Sequence, residues 1–393
     1  MPAVSRRLSF GAVASVLALV LVAALVVGVT LLAGLAALVA FDTRNPPRAI
    51  GTGGIFDYLR EQLPGFACTI TDHGDGAVSL LAVRGRPTRV FNVHLDTVPS
   101  SPGWSADPLL LRVDHGRAVG LGACDIKGAA AGLLAAAAAT RGNAAFLFST
   151  DEEANDARCI KAFLDGVHGF TEAIVAEPTG CEAVLAHRGI SAVRMRFRGR
   201  AGHASGGDAS HGSAVHHAMR WGAAALAFAD GQAHERFGGL TGLRFNVGRV
   251  EGGIKANIIA PQADVGFGFR PLPSMSFEAL HERFAALAEA GSVERYEETF
   301  RGPPLPAGAL ADAEDRRLEA RDLAEALDLP IGNAVDFWTE ASLFSAAGLT
   351  ALVYGPGHIA QAHTADEWVA IDQLEAYAAS IARILDGESL HGQ

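Results

Sequence analysis

His94 and Asp96 stand two residues apart at the end of the apolar run RVFNVHLD, residues 89–96. On a β-strand, side chains at positions i and i+2 point to the same face. The two groups would therefore stand side by side, as a metal-ligating imidazole and a carboxylate that orients it do. Taken alone, a solvated strand edge is the simpler interpretation of this pair. The choice between that interpretation and a metal site therefore depends on other residues of the chain.

Further carboxylates and a second imidazole follow in distant segments of the chain. They are Asp125 in GACDIKG, Glu152 and Glu153 in STDEEAN, Glu177 in VAEPT and His363 in QAHTADE. Two imidazoles with several carboxylates suit zinc or a similar divalent ion. A carboxylate that bridges two ions would use them all, and one of the adjacent glutamates could serve as general base. Singly, each has an ordinary alternative, such as a helix N-cap for Asp125.

The segments that must position these residues alternate between predicted strands and helices. Apolar strands are predicted at 67–72, 78–85, 88–96, 143–150 and 172–179, and helices at 53–63 and 125–140. This alternation indicates an α/β fold with a mostly parallel central sheet. In such sheets ligands bind at the carboxyl ends of the strands, which is where these acidic residues and His94 fall.

The pattern changes near residue 187, where exposed alternating strands and amphipathic helices begin. We predict an inserted α+β domain at 187–298, called the lid below. Residues 30–186 and 299–393 then form the catalytic, metal-binding domain. The lid histidines outside the motifs, His211, His216 and His217, are interpreted as solvated residues.

Composition excludes several function classes. The chain of 393 residues is 49% hydrophobic with a net charge of −11 and no Lys/Arg cluster, which argues against nucleic-acid binding. Its four cysteines form no CxxC pair, as expected in a reducing compartment.

The N-terminus raises a separate question, because no charged residue lies between Leu8 and Phe41. That run is longer than the ~20 apolar residues that cross a bilayer. Residues 1–29 form an apolar extension that is either a membrane anchor or the product of a misassigned start. We expect a cytoplasmic protein, with membrane association through residues 8–41 as the alternative.

Several motifs resemble the dinuclear-zinc aminoacylase and peptidase family and occur in its order: HLDTVP, GLGACDIKG, STDEEAN, VAEPT, GRAGHAS and QAHTADE. NAVDFWTEASLF and GPGHIAQAH are similar to the acetylornithine deacetylase branch, and most of all to its deacetylases of N-acetylcitrulline. The resemblance implies a zinc-peptidase-like catalytic domain. It also implies hydrolysis of N-acetylcitrulline or N-acetylornithine in arginine biosynthesis, with one or two Zn²⁺ ions or with Co²⁺ in their place.

The resemblance also implies roles for the catalytic-domain residues. Asp125 would bridge two ions, of which His94 and Glu177 hold one, and Glu153 and His363 the other. Glu152 would be the general base, and Asp96 would orient His94.

For the lid, the resemblance implies the contact of a homodimer. His203 would reach the partner's active site and stabilise the oxyanion. Contacts to the substrate are expected from Asn257, Arg270, Thr339 and Glu340.

Two rival functions stay open at this point. One is a sister amidohydrolase of the same family, such as a succinyl-diaminopimelate desuccinylase or a dipeptidase. The other is a membrane-anchored metal-binding protein without catalytic activity. The presence of Glu152 favours an enzyme.

Overall fold

The computed structural model describes residues 30–154, 156–207 and 210–387, so the predicted extension 1–29 lies outside the described residues. Two compact units are present. The first falls within Met1–Cys159, Ala176–Cys181 and Tyr354–Gln393, and the second within Ile160–Val175 and Glu182–Val353.

The described helices and strands have the following bounds. The helices are α1 (30–40), α2 (Ile55–Gln62), α3 (Lys127–Ala139), α4 (Arg158–Asp165), α5 (Ala214–Gly231), α6 (Phe277–Ala286), α7 (Ala313–Ala326), α8 (Ala341–Ala346) and α9 (Ile371–Gly387). The strands are β1 (Ala67–Asp72), β2 (Val78–Arg84), β3 (Arg89–His94), β4 (Arg112–Asp114), β5 (Arg117–Val119), β6 (Ala144–Ser149), β7 (Glu172–Val175), β8 (Ile190–Arg198), β9 (Gly202–His203), β10 (Arg236–Phe237), β11 (Leu240–Thr241), β12 (Arg244–Gly252), β13 (Ile258–Ile259), β14 (Gln262–Arg270), β15 (Val293–Gly302), β16 (Thr350–Val353) and β17 (Trp368–Ala370).

The sheet of the first unit brings two functional loops to one edge. β2 is antiparallel to both β1 and β6, and β3 is parallel to β6. β1, β3 and β6 therefore run in one direction, and β3 and β6 are buried along their whole length. Because His94 is paired with Ser149, the loop carrying Asp96 and the loop carrying Glu152 leave the sheet side by side.

Close packing fixes α3, the helix that follows Asp125. It is rich in alanine, a strong helix former, and lies against α9. A Cβ on Gly132 would come within 2.5 Å of the Tyr377 ring. Glycine is therefore required at this helix–helix contact.

The apolar N-terminal run is helical in its described part, α1. Its buried residues are Leu31, Leu35, Leu38 and Val39, which lie on one face at helical spacing. No helix of the described residues 30–154, 156–207 and 210–387 is both long and apolar enough to cross a membrane.

The second unit contains an antiparallel sheet in the order β12-β14-β8-β15. One face of this sheet packs on α5 and α6 through an aromatic core that includes Trp221, Phe267 and Phe284. β7 and β16 form a parallel pair in the same unit. The predicted fold class, α/β with a mostly parallel central sheet plus an inserted α+β segment, is confirmed.

Candidate functional site

His94 lies at the end of β3 with its ring almost completely buried. Its Nδ1 is 3.0 Å from the backbone carbonyl of Asp96. When Nδ1–H donates to that oxygen, the Nε2 lone pair is free for a metal ion. Nε2 lies 3.1 Å from Asp125 Oδ1 and 3.8 Å from Glu177 Oε1.

The Asp96 carboxylate joins two other loops rather than making the direct hydrogen bond to His94. Its Oδ1 is 3.6 Å from His94 Nδ1. Its Oδ2 accepts from Asn45 Nδ2 and from the backbone N–H of Glu153, both at 3.0 Å. Asp96 thus positions the segment that carries Glu153, and Asn45 is a supporting residue that no sequence motif identified.

His363 belongs to a second group on the other side of Asp125. Its Nε2 is 3.0 Å from Glu153 Oε1 and 3.3 Å from Asp125 Oδ2. Its backbone has a φ of 57°, a left-handed conformation that non-glycine residues seldom adopt outside functional sites and turns. Asp125 is therefore shared between the two histidines.

The donor set fits two cations. Within each of the groups His94–Asp125–Glu177 and Asp125–Glu153–His363, the candidate ligand atoms lie within 4.8 Å of one another. Each group offers one imidazole and two carboxylates, and the carboxylate of Asp125 belongs to both. These five residues are called the candidate metal centre below.

The electrostatics of the candidate metal centre also call for added positive charge. Burial raises the pKa of Glu177 well above its usual range, and the charge of Asp125 raises it further. The hydrogen bonds to Asp125 and Glu153 raise the pKa of His363 to about 11. Protons thus compensate the gathered carboxylates, and divalent cations would replace those protons.

Asp125 does not cap the helix that follows it. The N-cap of α3 is Ile126, and no side chain caps this helix. Instead, the almost fully buried carboxylate of Glu367 accepts from the backbone N–H groups of Gly122, Cys124 and Asp125, at 3.0, 2.9 and 2.9 Å. Glu367 was not among the predicted site residues, although it lies four positions after His363 in the same motif.

Replacing Glu367 by Gln is expected to weaken metal binding about 10–100-fold, the usual cost of losing a group that supports ligands. The amide keeps one acceptor oxygen but sets an NH₂ group against a backbone N–H. Isothermal titration of chelator-stripped protein with Zn²⁺ would measure the change. Glu375→Gln, an exposed substitution on α9, is the matched control. Equal zinc affinity in both variants would contradict this role of Glu367.

Glu152 lies in the turn at 152–154 after β6 and is partly buried. Its charge is among those that raise the pKa of Glu177, so it lies in the electrostatic field of the candidate metal centre. A carboxylate beside the ligands, rather than in either ligand group, is suited to general-base chemistry.

In the lid, the structure brings two of the predicted residues together. His203 pairs with Ile258 between β9 and β13, and the N–H of Ala204 donates to the carbonyl of Asn257 at 3.1 Å. His203 and His211 line a cavity of about 410 Å³ whose walls are rich in glycine.

Arg270 lies elsewhere in the lid, in a cavity of about 480 Å³ on the sheet face of β8, β12 and β14. The floor includes Gly266 and Gly268, and the cavity lining contains four arginines and no acidic residue: Arg194, Arg244, Arg249 and Arg270. Burial lowers the pKa of Arg270. Such a site favours an anion.

Thr339 and Glu340 are both buried in the second unit. The Thr339 hydroxyl lies 3.1 Å from His187 Nε2 and accepts from the N–H of Ala341. The structure therefore gives Thr339 internal partners, whereas His203 and Arg270 line cavities.

The chain is similar to a family of peptidases and to deacetylases of acetylated amino acids. Residues 90–387 match the family model described as "Peptidase family M20/M25/M40". The chain is 67% identical over 351 residues to the N-acetyl-L-citrulline deacetylase of Xanthomonas campestris pv. campestris, covering 89% of this chain and 96% of that protein. It is 31% identical to the acetylornithine deacetylase of Myxococcus xanthus, over 89% and 95% of the two chains.

Solved structures share the fold. The aminopeptidase PepT of Bacillus cereus superposes with a TM-score of 0.70 at 19% identity, covering 91% of this chain and 98% of that chain.

Proposed function

Because the chain belongs to the peptidase family M20/M25/M40, we propose that it is a metal-dependent deacetylase that hydrolyses N-acetylcitrulline to citrulline and acetate. The observation that carries the proposal is the pair of ligand groups sharing Asp125. The high identity to a deacetylase of N-acetylcitrulline supports this substrate. The expected setting is arginine biosynthesis in the cytoplasm.

The candidate metal centre would hold Zn²⁺, with two ions when both groups are filled. Bound cations would polarise the acyl carbonyl of the substrate and lower the pKa of the attacking water. Glu152 then accepts the proton of the attacking water and passes it to the leaving amine. His203, from the lid of the partner subunit, donates a hydrogen bond to the oxygen that becomes negative. Asn45 and Asp96 keep the Glu153 loop in place.

Arg270 is proposed to bind the substrate carboxylate. Among the described residues its guanidinium has no hydrogen-bond or ion-pair partner, and a guanidinium binds a carboxylate through two parallel hydrogen bonds. The lining of its cavity contains no acidic residue, and the neighbouring Asp336 is already paired with Arg188 and Arg244. This lining therefore offers no unpaired counter-ion for the ammonium of acetylornithine. The neutral ureido group of citrulline needs none.

Acetate release from N-acetylcitrulline and N-acetylornithine, measured side by side with zinc-loaded protein, tests the substrate. We expect kcat/KM to favour N-acetylcitrulline. N-succinyl-diaminopimelate and a dipeptide should be included. Preference for either of these would instead assign the chain to a sister activity of the family.

Arg270→Ala is expected to raise KM about 10–100-fold, because a hydrogen bond to a charged group contributes ~1.5–3 kcal/mol. Both acetylated amino acids should be affected alike, since they share the carboxylate. Steady-state kinetics would measure this. Arg295→Ala is the control, because Arg295 is exposed, is paired with Glu297 and does not line this cavity. An unchanged KM in Arg270→Ala would show that Arg270 does not bind the substrate carboxylate.

We further propose a homodimer formed through the lid. The outer face of α5 carries Met219 and Leu226, which are 64% and 51% exposed. β12 is an edge strand of the lid sheet, and its Val250 is 56% exposed. An unpaired edge beside an apolar helix face suits pairing with the same surface of a second copy.

Met219→Glu is expected to shift the protein from dimer to monomer, because a charge on this face would have to be buried in the dimer. Light scattering after size-exclusion chromatography gives the mass directly. Leu318→Glu, at an exposed apolar position on α7, is the control. A variant Met219→Glu that stays dimeric would place the contact on another surface.

A further inference from the structure

His203 is held by a residue to which no role has been assigned. The backbone N–H of Ser205 donates to His203 Nδ1 at 3.2 Å, and the Ser205 hydroxyl lies 2.7 Å from the same nitrogen. Both groups belong to the motif GRAGHAS. One short segment therefore directs two donors at one ring nitrogen.

A backbone N–H can only donate, so Nδ1 must be the acceptor in this contact. A neutral imidazole carries one proton, and a ring whose Nδ1 accepts carries that proton on Nε2. The hydroxyl of Ser205 can rotate to donate to the same lone pair. Both contacts thus favour the same tautomer.

The Nε2–H group is free to act on a ligand. Among the described residues, Nε2 of His203 has no hydrogen-bond partner, and the ring lines the cavity of about 410 Å³ described above. The pairing of His203 with Ile258, on the strand that follows Asn257, fixes the backbone that carries the ring.

We infer that Ser205 is a positioning residue that holds His203 in the Nε2–H tautomer, so that this N–H is the donor offered to the oxyanion. The inference rests on the proposed function, in which His203 stabilises that oxygen. Ser205 acts only by setting the tautomer of His203, so it need not contact the substrate.

The tautomer can be read without substrate. We would record long-range ¹⁵N–¹H correlation spectra of the zinc-loaded, full-length protein labelled with ¹⁵N-histidine, and assign His203 by comparison with His203→Gln. The inference predicts a protonated Nε2 and an unprotonated Nδ1 in the wild type. It predicts a weaker excess of the Nε2–H form in Ser205→Ala, which keeps the backbone N–H but loses the closer hydroxyl contact. Ser205→Thr, which keeps the hydroxyl, should show the wild-type pattern. Nδ1–H in the wild type, or an unchanged spectrum in Ser205→Ala, would overturn it.

Kinetics separate this inference from the proposed function. We expect Ser205→Ala to lower kcat about 2–10-fold, the usual range for one lost hydrogen bond, with little change in KM. Ser205→Thr should restore kcat. If the spectra agree with the inference but His203→Gln retains wild-type kcat, the tautomer assignment stands and the proposed oxyanion role of His203 falls. A weakened tautomer preference in Ser205→Ala with kcat unchanged would overturn the positioning role of Ser205.

Discussion

Replacing Glu152 by Gln is expected to lower kcat for N-acetylcitrulline by about 10²–10⁴-fold, the usual contribution of a general base. The amide has nearly the same shape but cannot accept the proton of the attacking water. Because Glu152 belongs to neither ligand group of the candidate metal centre, zinc affinity should change little. Steady-state acetate release and metal analysis of the same preparation would measure both quantities.

The neighbouring glutamate gives a matched comparison. Glu153 lies 3.0 Å from His363 within one ligand group, so Glu153→Gln should lose metal as well as activity. Glu152→Gln would then lose activity while it keeps its metal, and Glu153→Gln would lose activity because it loses metal. Wild-type turnover by metal-loaded Glu152→Gln would show that the base is another residue.

Replacing Asp125 by Asn should abolish activity by removing the carboxylate common to both ligand groups. A neutral amide cannot supply a negatively charged bridge, so we expect metal content to fall to one ion or fewer per chain. The helix after it should persist, because α3 does not use a side-chain cap. Elemental analysis would give the metal content, and circular dichroism would report the fold.

The stability of this variant should respond to zinc less than that of the wild type. A ligand at 100 times its Kd stabilises the folded state by about 2.7 kcal/mol. Wild-type protein should therefore gain several degrees in Tm on adding zinc, and Asp125→Asn should gain much less. Equal zinc-dependent gains in Tm would argue against a bridging position for Asp125.

Much of the first unit could be predicted because β3 and β6 are buried and apolar. The predicted strands 88–96 and 143–150 contain β3 and β6, and the predicted helix 125–140 contains α3. The ends of β3 and β6 meet because parallel strands place their carboxyl ends on one edge, so His94 and Glu153 could be expected near one another. Their side chains belong to the two ligand groups that share Asp125.

Other features depend on contacts that no local pattern reveals. β15, Val293–Gly302, was not predicted because half of the residues in its sequence VERYEETFRG are charged, and its pairing with β8 is what makes it a strand. Glu367 reaches backbone groups more than 240 positions earlier in the chain. Asn45 likewise meets Asp96 across 51 residues. Contacts between residues so far apart in the sequence can be identified only from the folded structure.

We propose that this chain hydrolyses N-acetylcitrulline with cations held by the candidate metal centre. The most direct measurement is a titration of chelator-stripped protein with Zn²⁺ while acetate release from N-acetylcitrulline is followed. We predict negligible turnover without metal and a rise that saturates as both ligand groups fill, with no more than two ions per chain. Full turnover by metal-free protein, or none by protein with zinc demonstrably bound, would contradict this function.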